Sequence, residues 1–473
     1  MRTVFLGGFV FAFLAVTPVH SGETTMAYVR VSPRDSRYFE LTDGTPYVPI
    51  GLNVIHPRSR IDETGKGLAQ MEEWMKVLAE NGGNYMRVWL SAYFWQVEHE
   101  KAGVYDETRA KRIDALLDLA RKYGIRLKLT VEHFREIEPE NVRQSWASMQ
   151  IHHVSKGGTA RTMAEWVDGA ASRAQFKNKL AWFQRRFGDQ PIVYGWELWN
   201  EMNAIRGGDY LNWTAEMLPE LHRLFPKNMA MQSLGSFDHD GGRATYRQLA
   251  TLAGNDVAQV HRYLDLGASL KVCHGPVDVL AADAVRELLN LKPGKPVILA
   301  ESGAVEPRHT GPFKLYAKDQ EATILHDVIF APFFAGAAGA GQCWHWYEYV
   351  DLVKGWHQFK AFAEAVRGID PPAEGFEPRM VEHPRLRVYA LKGKKTTLVW
   401  CRDKENGWQA ELEEGRAPEE LKDLALHLGK DLVPDGRTVR TWDPWARRWA
   451  DAKVEGGTVV LPAFRRSLVV RAE

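Results

Sequence analysis

A (β/α)8 barrel followed by a small C-terminal antiparallel β-sandwich is the fold class predicted for this chain of 473 residues. Apolar runs of strand length alternate with amphipathic helical stretches over roughly the first 370 residues, and crossovers of helical length force neighbouring strands to lie parallel. From Arg385 onward the pattern changes to short strand-like runs separated by polar turns, which suits a small antiparallel unit. The expected layout is a signal peptide over 1–21, a catalytic barrel over 22–370, a linker over 371–384 that starts at Pro371-Pro372, and the sandwich over 385–473.

The barrel elements follow in order. Residues 47–55 (YVPIGLNVI) read as strand one, and a helix from about Leu68 to Glu80 is stopped by Asn81-Gly82-Gly83. Strand two is 84–90 (NYMRVWL), and the helix that includes Ile113 to Tyr123 ends at Gly124. Strand three is 125–134 (IRLKLTVEHF). A long segment to about Ser172 then carries Trp146, His152, His153 and Trp166; connections this long are usually functional, and we expect it to wall a cleft. A helix from about Arg173 to Phe187 leads into strand four, 192–201 (IVYGWELWNE). Strands five to eight are expected at 228–234, 257–264, 296–302 and 340–350. In the C-terminal part RLRVYAL, TTLVW, VRTWD, TVVLP and SLVVRA are the strand-like runs.

Composition excludes several classes. With 61 basic against 60 acidic residues, the chain has no net attraction for nucleic acid or anionic lipid. Three scattered cysteines, Cys273, Cys343 and Cys401, do not make a disulfide framework or a zinc knuckle. The start of the chain, Met1-Arg2 followed by the mostly apolar Val4 to Val16 and then Val19-His20-Ser21, fits a signal peptide cleaved near Ser21, so a secreted or periplasmic protein is expected. No later apolar stretch is long enough to span a bilayer. Cofactor, metal and membrane are expected to be absent and the protein monomeric.

Two glutamates carry the chemistry. Glu201 closes strand four and Glu301 closes strand seven, where barrel enzymes keep their reactive groups. Two carboxylates facing one pocket are what cleavage of a glycosidic bond requires, one to protonate the leaving oxygen and one to attack or to activate water. Asn200-Glu201, Glu301, Arg87 at the end of strand two, His133 at the end of strand three, the pair His261 and Tyr263 on strand six, and Trp346 or Trp344 on strand eight occur in one order along the chain. In that set the chain resembles the clan A glycoside hydrolases, close to family 5 with its cellulases and mannanases. The likeness covers the whole barrel, and that of the sandwich to accessory domains is much weaker.

The resemblance implies a retaining β-glycoside hydrolase acting on a β-linked glucan or mannan. Glu201 would be the acid/base and Glu301 the nucleophile. Arg87 and Tyr263 would pair with Glu301, and Asn200 would hold the sugar 2-hydroxyl. His133 and His261 would hydrogen-bond groups of the sugar or the nucleophile side, and Trp346 would floor the central subsite. Burial and a second carboxylate are expected to raise the Glu201 pKa so that it stays protonated near neutral pH. A carbohydrate-binding barrel without turnover and a transglycosylase share the same residues and stay open.

Other features have plainer readings. Glu197, on the same strand face as Glu201 and one layer deeper, is expected in a buried ion pair. Trp196 and Trp199 are expected to pack, as are Trp442, Trp445 and Trp449. Gly336, Gly339 and Gly341 precede a strand and so do not form a dinucleotide fingerprint. His152-His153 is not expected to bind a metal, because adjacent residues on extended backbone point apart. The charged stretch Lys404 to Lys422 reads as a solvated face.

Overall fold

A computed structural model of the protein describes residues 26–58, 65–140 and 142–473. The expected signal peptide lies outside them. Three short strands, β1 (Val29–Val31), β2 (Phe39–Leu41) and β3 (Pro46–Tyr47), form an antiparallel sheet before the barrel, an element the periodicity did not announce. Phe39 and Tyr47 of this sheet meet Tyr194 at ring separations of 5.3 and 6.2 Å, and Tyr85 meets it edge-on at 5.2 Å. Tyr85 and Tyr194 stand at the start of their strands, so these rings cover the end of the barrel opposite the glutamates.

Five parallel strands follow in order: β4 (Gly51–Asn53), β5 (Tyr85–Trp89), β6 (Arg126–Glu132), β7 (Val193–Trp199) and β8 (Met229–Met231). β9 (Ala258–His261) and β10 (Val297–Glu301) form a second parallel pair. β5, β6, β7 and β10 are buried at every position, as strands covered on both faces must be, and this explains why they are mostly apolar, with Arg87, Lys128, Glu197 and Glu301 as buried charges among them. Helices between them bury one face; Lys66–Glu80, for example, buries Met71, Trp74, Met75 and Leu78, and Glu107–Tyr123 is capped by Asp106 and ended by left-handed Gly124.

The expected eighth strand is not a regular strand. Residues 338–344 run between β10 and β4, with Ala338 and Gln342 N–H donating to Val297 and Leu299, Ala340 N–H to Pro49, and Asn53 N–H to the Cys343 carbonyl. Only one bridge, Ser302 to Cys343, has strand geometry, and Trp346–Val350 turns into a short π-helical coil. Close approach explains the irregularity: a Cβ on Gly341 would lie 2.1 Å from the Val328 carbonyl oxygen and one on Gly339 2.5 Å from the Pro49 ring. Close packing is what these two glycines permit.

The C-terminal part is a six-stranded antiparallel sheet in the order Glu377–Val381, Leu386–Lys392, Thr397–Asp403, Ser467–Ala472, Val439–Asp443, Arg448–Asp451, with two small sheets beside it. The stretch 371–384, expected to be a linker, instead holds the helical turn Pro371–Glu374 and the first of these strands. Its prolines suit the first helical turn, where no N–H is needed. Alternation sends Tyr389, Leu391, Leu398 and Trp400 into the barrel core and Val388, Ala390, Val399 and Cys401 into a second apolar layer under the small sheets. Buried charges also cross the junction: Arg402 Nε donates to Asp327 at 2.7 Å, and Arg387 Nε and Tyr389 OH donate to Asp278 at 2.5 and 2.9 Å. Trp442 donates from Nε1 to the Ala361 carbonyl at 2.9 Å, and Trp445 lies 4.5 Å from the His326 ring. These two tryptophans serve packing.

Removing one partner from a fully buried ion pair leaves a charge without compensation. Arg402→Met is therefore expected to cost about 3–5 kcal/mol, read as a fall in melting temperature, and the double variant Arg402→Met with Asp327→Leu should recover most of it.

Candidate active site

Arg87 organises the centre of the barrel. Its side chain is fully buried, with Nη2 and Nε donating to Glu197 Oε2 at 2.6 and 2.8 Å, Nη2 also to Asn200 Oδ1 at 2.8 Å, and Nη1 to Asn53 Oδ1 at 3.2 Å and to Glu301 Oε1. Alternation along β7 places Glu197 one layer below Glu201, as expected, and Lys128 Nζ lies 3.1 Å from its other oxygen. Burial pulls Lys128 down to about 7, although Glu197 works against this; Arg87 and Lys128 together outweigh the burial of Glu197 and hold it ionised. Glu197 is thus a structural ion-pair residue, and Arg87 delivers the orientation of this layer to Glu301.

Glu301 and Glu201 face each other across His261. Tyr263 OH donates to Glu301 Oε2 at 2.8 Å, and His261 Nδ1 lies 3.0 Å from Glu201 Oε1 and 3.4 Å from Glu301 Oε2. One oxygen of each carboxylate and a nitrogen of His261 all lie within 4.8 Å of one another. Glu201 sits in left-handed backbone, φ 52° and ψ 53°, a conformation disfavoured for a side chain with a Cβ and concentrated at functional positions.

The charge state of Glu201 differs from expectation. Burial does push its pKa upward, but hydrogen bonding and charge from His261, with Arg135 and His309 adding to them, bring it down to about 2. Arg135 Nη2 donates to Glu201 Oε2 at 2.6 Å. Sequence reasoning passed over this arginine, although a signal existed: it stands two residues beyond His133, on the face that strand three presents to the pocket.

Two cavities meet here. One, about 590 Å³, is lined by Glu201, Glu301, Asn200, Tyr263, Arg135 and Trp344 among others; its neighbour, about 580 Å³, is mostly apolar and includes His56, Tyr93, His133, Met149 and Trp346. Trp89, Trp146 and Trp344 line both. Trp344 therefore borders the carboxylates, whereas Trp346, expected to floor that subsite, faces the neighbouring cavity; the coil after 344 turns it aside. His133 is likewise held in the wall, with Nδ1 2.8 Å from Ser91 Oγ and Nε2 2.9 Å from the Trp146 carbonyl oxygen. Asn200 keeps its Oδ1 on Arg87, which leaves its NH2 group for a ligand.

Among the described residues the donor sets that could hold a metal are Glu201, His261 and Glu301, and Asp238, Asp265 and His309. In the first, Arg87 and Arg135 already neutralise the two carboxylates, which suits an acid pair better than a cation site. His152 and His153 do not converge: His152 is buried against Phe134 and Trp166, and His153 Nδ1 is bonded to Ser155 Oγ at 2.7 Å.

No family model matches the chain. A mannan endo-1,4-beta-mannosidase 3 from Oryza sativa subsp. japonica is 23% identical over 338 residues, which is 65% of this chain and 68% of that one. A solved glycoside hydrolase superposes with a TM-score of 0.59 at 12% identity, covering 94% of this chain and 96% of the other. A glycoside hydrolase family 5 structure from Bacteroides vulgatus gives 0.57 at 12% identity over 94% and 92%. A family 5 mannosidase from Rhizomucor miehei gives 0.50 at 17% identity over 67% and 86%.

The chain resembles glycoside hydrolase family 5. Its likeness to solved family 5 structures implies the (β/α)8 architecture, and two of the superpositions extend through the C-terminal sheet to cover 94% of the chain.

Burial holds several imidazoles neutral: His133 and His152 fall to about 4 and His345 to about 3. Because the unfolded chain binds these protons near pH 6.5 and the folded one does not, stability should drop as pH falls from about 6.5 toward 4. Replacing His152 with Phe, which suits its aromatic surroundings, should remove about 2 kcal/mol of the loss between pH 7 and pH 5, measured by denaturant unfolding at both.

Proposed function

We propose that the chain is a retaining β-glycoside hydrolase that cleaves a β-linked mannan or glucan by double displacement. The observation that carries this is the opposition of Glu201 and Glu301 at the ends of parallel strands over one cavity, with the facing oxygen of one carboxylate within 4.8 Å of one oxygen of the other. Retaining pairs stand roughly 5–5.5 Å apart, whereas an inverting pair needs roughly 6.5–9.5 Å to admit water between them.

In the first step Glu301 attacks the anomeric carbon while Glu201 gives its proton to the departing oxygen. The C–O bond breaks and a glycosyl ester forms on Glu301. In the second step Glu201, now a carboxylate, takes a proton from water, which displaces Glu301 and releases sugar of unchanged configuration. Arg87 and Tyr263 hold Glu301 in place, and the free NH2 of Asn200 is positioned for the 2-hydroxyl. Trp344 supplies a sugar-stacking face. Mannan leads because the curated relatives bear mannan endo-1,4-beta-mannosidase names.

The same reading extends to the architecture and location. Residues 338–344, bonded to both β10 and β4, are read as the eighth stave closing the barrel, and the C-terminal sheets as a sandwich that carries no chemical step. We read 1–21 as a signal peptide and the enzyme as a monomer acting outside the cytoplasm. Among the described residues no helix is long and apolar enough to cross a membrane.

Trapping tests the nucleophile. A 2-deoxy-2-fluoro β-mannoside or β-glucoside with a good leaving group should leave a label on the peptide containing Ala300-Glu301-Ser302, and Glu301→Gln should abolish it; a label elsewhere, or an inverted first product by NMR, rejects the mechanism. Glu201→Ala is expected to reduce kcat on mannan by about 10²–10⁴-fold, less on aryl glycosides, with azide restoring turnover on the latter.

A further inference from the structure

Arg135 makes the shortest contact to Glu201, and its surroundings suit a residue that moves. Nη2 bonds Glu201 Oε2 at 2.6 Å and Nη1 bonds Gln144 Oε1 at 3.2 Å, while Nε is buried with no acceptor. The guanidinium lies 4.8 Å from the centre of the Trp146 ring. Around it the backbone is fixed: Arg135 N–H donates to the Ala147 carbonyl at 2.8 Å, and the Trp146 carbonyl is tied to His133. Trp146 nevertheless leaves 46% of its surface exposed, in the wall common to both cavities. A ring of this kind is where a sugar face stacks, and it is also where Arg135 rests.

The groups facing Glu201 come from four directions. Arg135 approaches from the end of β6, His261 from β9, Glu301 from β10 and His309 from the loop beyond it. Of these, His261 also touches Glu301 and Arg135 does not, so Arg135 acts on the acid/base alone.

We propose that Arg135 is a positioning residue for Glu201, turning its carboxylate toward the loop after β6 in the free protein, and that a sugar unit seated against Trp146 displaces the guanidinium and frees Glu201 to face the glycosidic oxygen. The inference rests on Glu201 being the acid/base. It removes one of the two side-chain contacts that keep Glu201 ionised, His261 being the other, since a carboxylate paired with arginine is a poor proton donor. Released from the pair, Glu201 takes a proton from solvent, gives it to the leaving oxygen, and recovers one from the attacking water. The loop from Arg135 to Trp146 thereby links occupation of the cleft to readiness of the acid.

Two measurements test this with Arg135→Met, which keeps the apolar stem, and Arg135→Lys, which keeps the charge. First, the basic limb of the kcat/KM profile on an oligosaccharide should move up by about 1–3 pH units in Arg135→Met and return toward wild type in Arg135→Lys. An unchanged limb, or an equal loss on all leaving groups, overturns the proposal. Second, 13C NMR of glutamate-labelled protein, with the Glu201 signal identified by its loss in Glu201→Gln, should show its titration midpoint raised in Arg135→Met; an unmoved midpoint overturns the proposal even if turnover is absent. If wild type hydrolyses no β-glycoside while the midpoint still moves, the glycosidase reading fails and the Arg135 assignment stands.

Discussion

The whole centre of this barrel depends on one guanidinium. Arg87 is shut away from water and surrounded by Glu197, Glu301, Asn200, Asn53 and Thr130, all of which accept from its guanidinium, with Glu197 accepting from both Nε and Nη2. Burying such a group unpaired would cost several kcal/mol, so its partners must be in place for the chain to fold. The fork geometry spreads that requirement over β4, β5, β6, β7 and β10 at once. Correct folding of the sheet and correct aim of Glu301 are therefore the same condition.

A second constraint comes from the long segment after β6. It brings Trp146 against His133, whose ring stacks on Trp89 at 5.1 Å, and Trp89 in turn meets Trp344 at 5.1 Å. This row of rings separates the polar cavity of the carboxylates from the apolar one beside it. Its neutral imidazole, held down to about 4 by burial, works as an aromatic spacer whose nitrogens are spent on Ser91 and Trp146. Trp146 in the cavity wall and Arg135 on Glu201 thus come from one connection, while the other contact to the Glu201 carboxylate, His261, comes from β9.

The C-terminal sheet is joined to the barrel by a core and by ion pairs, in contrast to a module on a tether. Trp400 and Tyr389 enter the main apolar cluster, while Arg402 and Arg387 reach carboxylates on barrel helices. It is tied in this way to the helices 277–289 and 323–334, which flank β10 in the chain. Among the described residues the two cavities lined by Trp89 and Trp344 draw no side chain from it.

Local pattern was enough to read much of this. Apolar runs of strand length marked β4 to β10, parity along β7 separated Glu197 from Glu201, and a carboxylate at the end of each of two strands marked the site, because alternation and helical period are properties of a few adjacent residues. The strand Glu377–Val381 was hidden by its exposed, charged composition and exists through pairing with 386–392. Which of Trp344 and Trp346 borders the carboxylates turned on the coil Trp346–Val350, where strand alternation no longer sets the side-chain direction. The charge on Glu201 turned on Arg135 and His261, 66 and 60 residues away. Periodicity tells which way a side chain points; what it meets there depends on distant chain brought close by folding, and the charge of a buried carboxylate depends on that company.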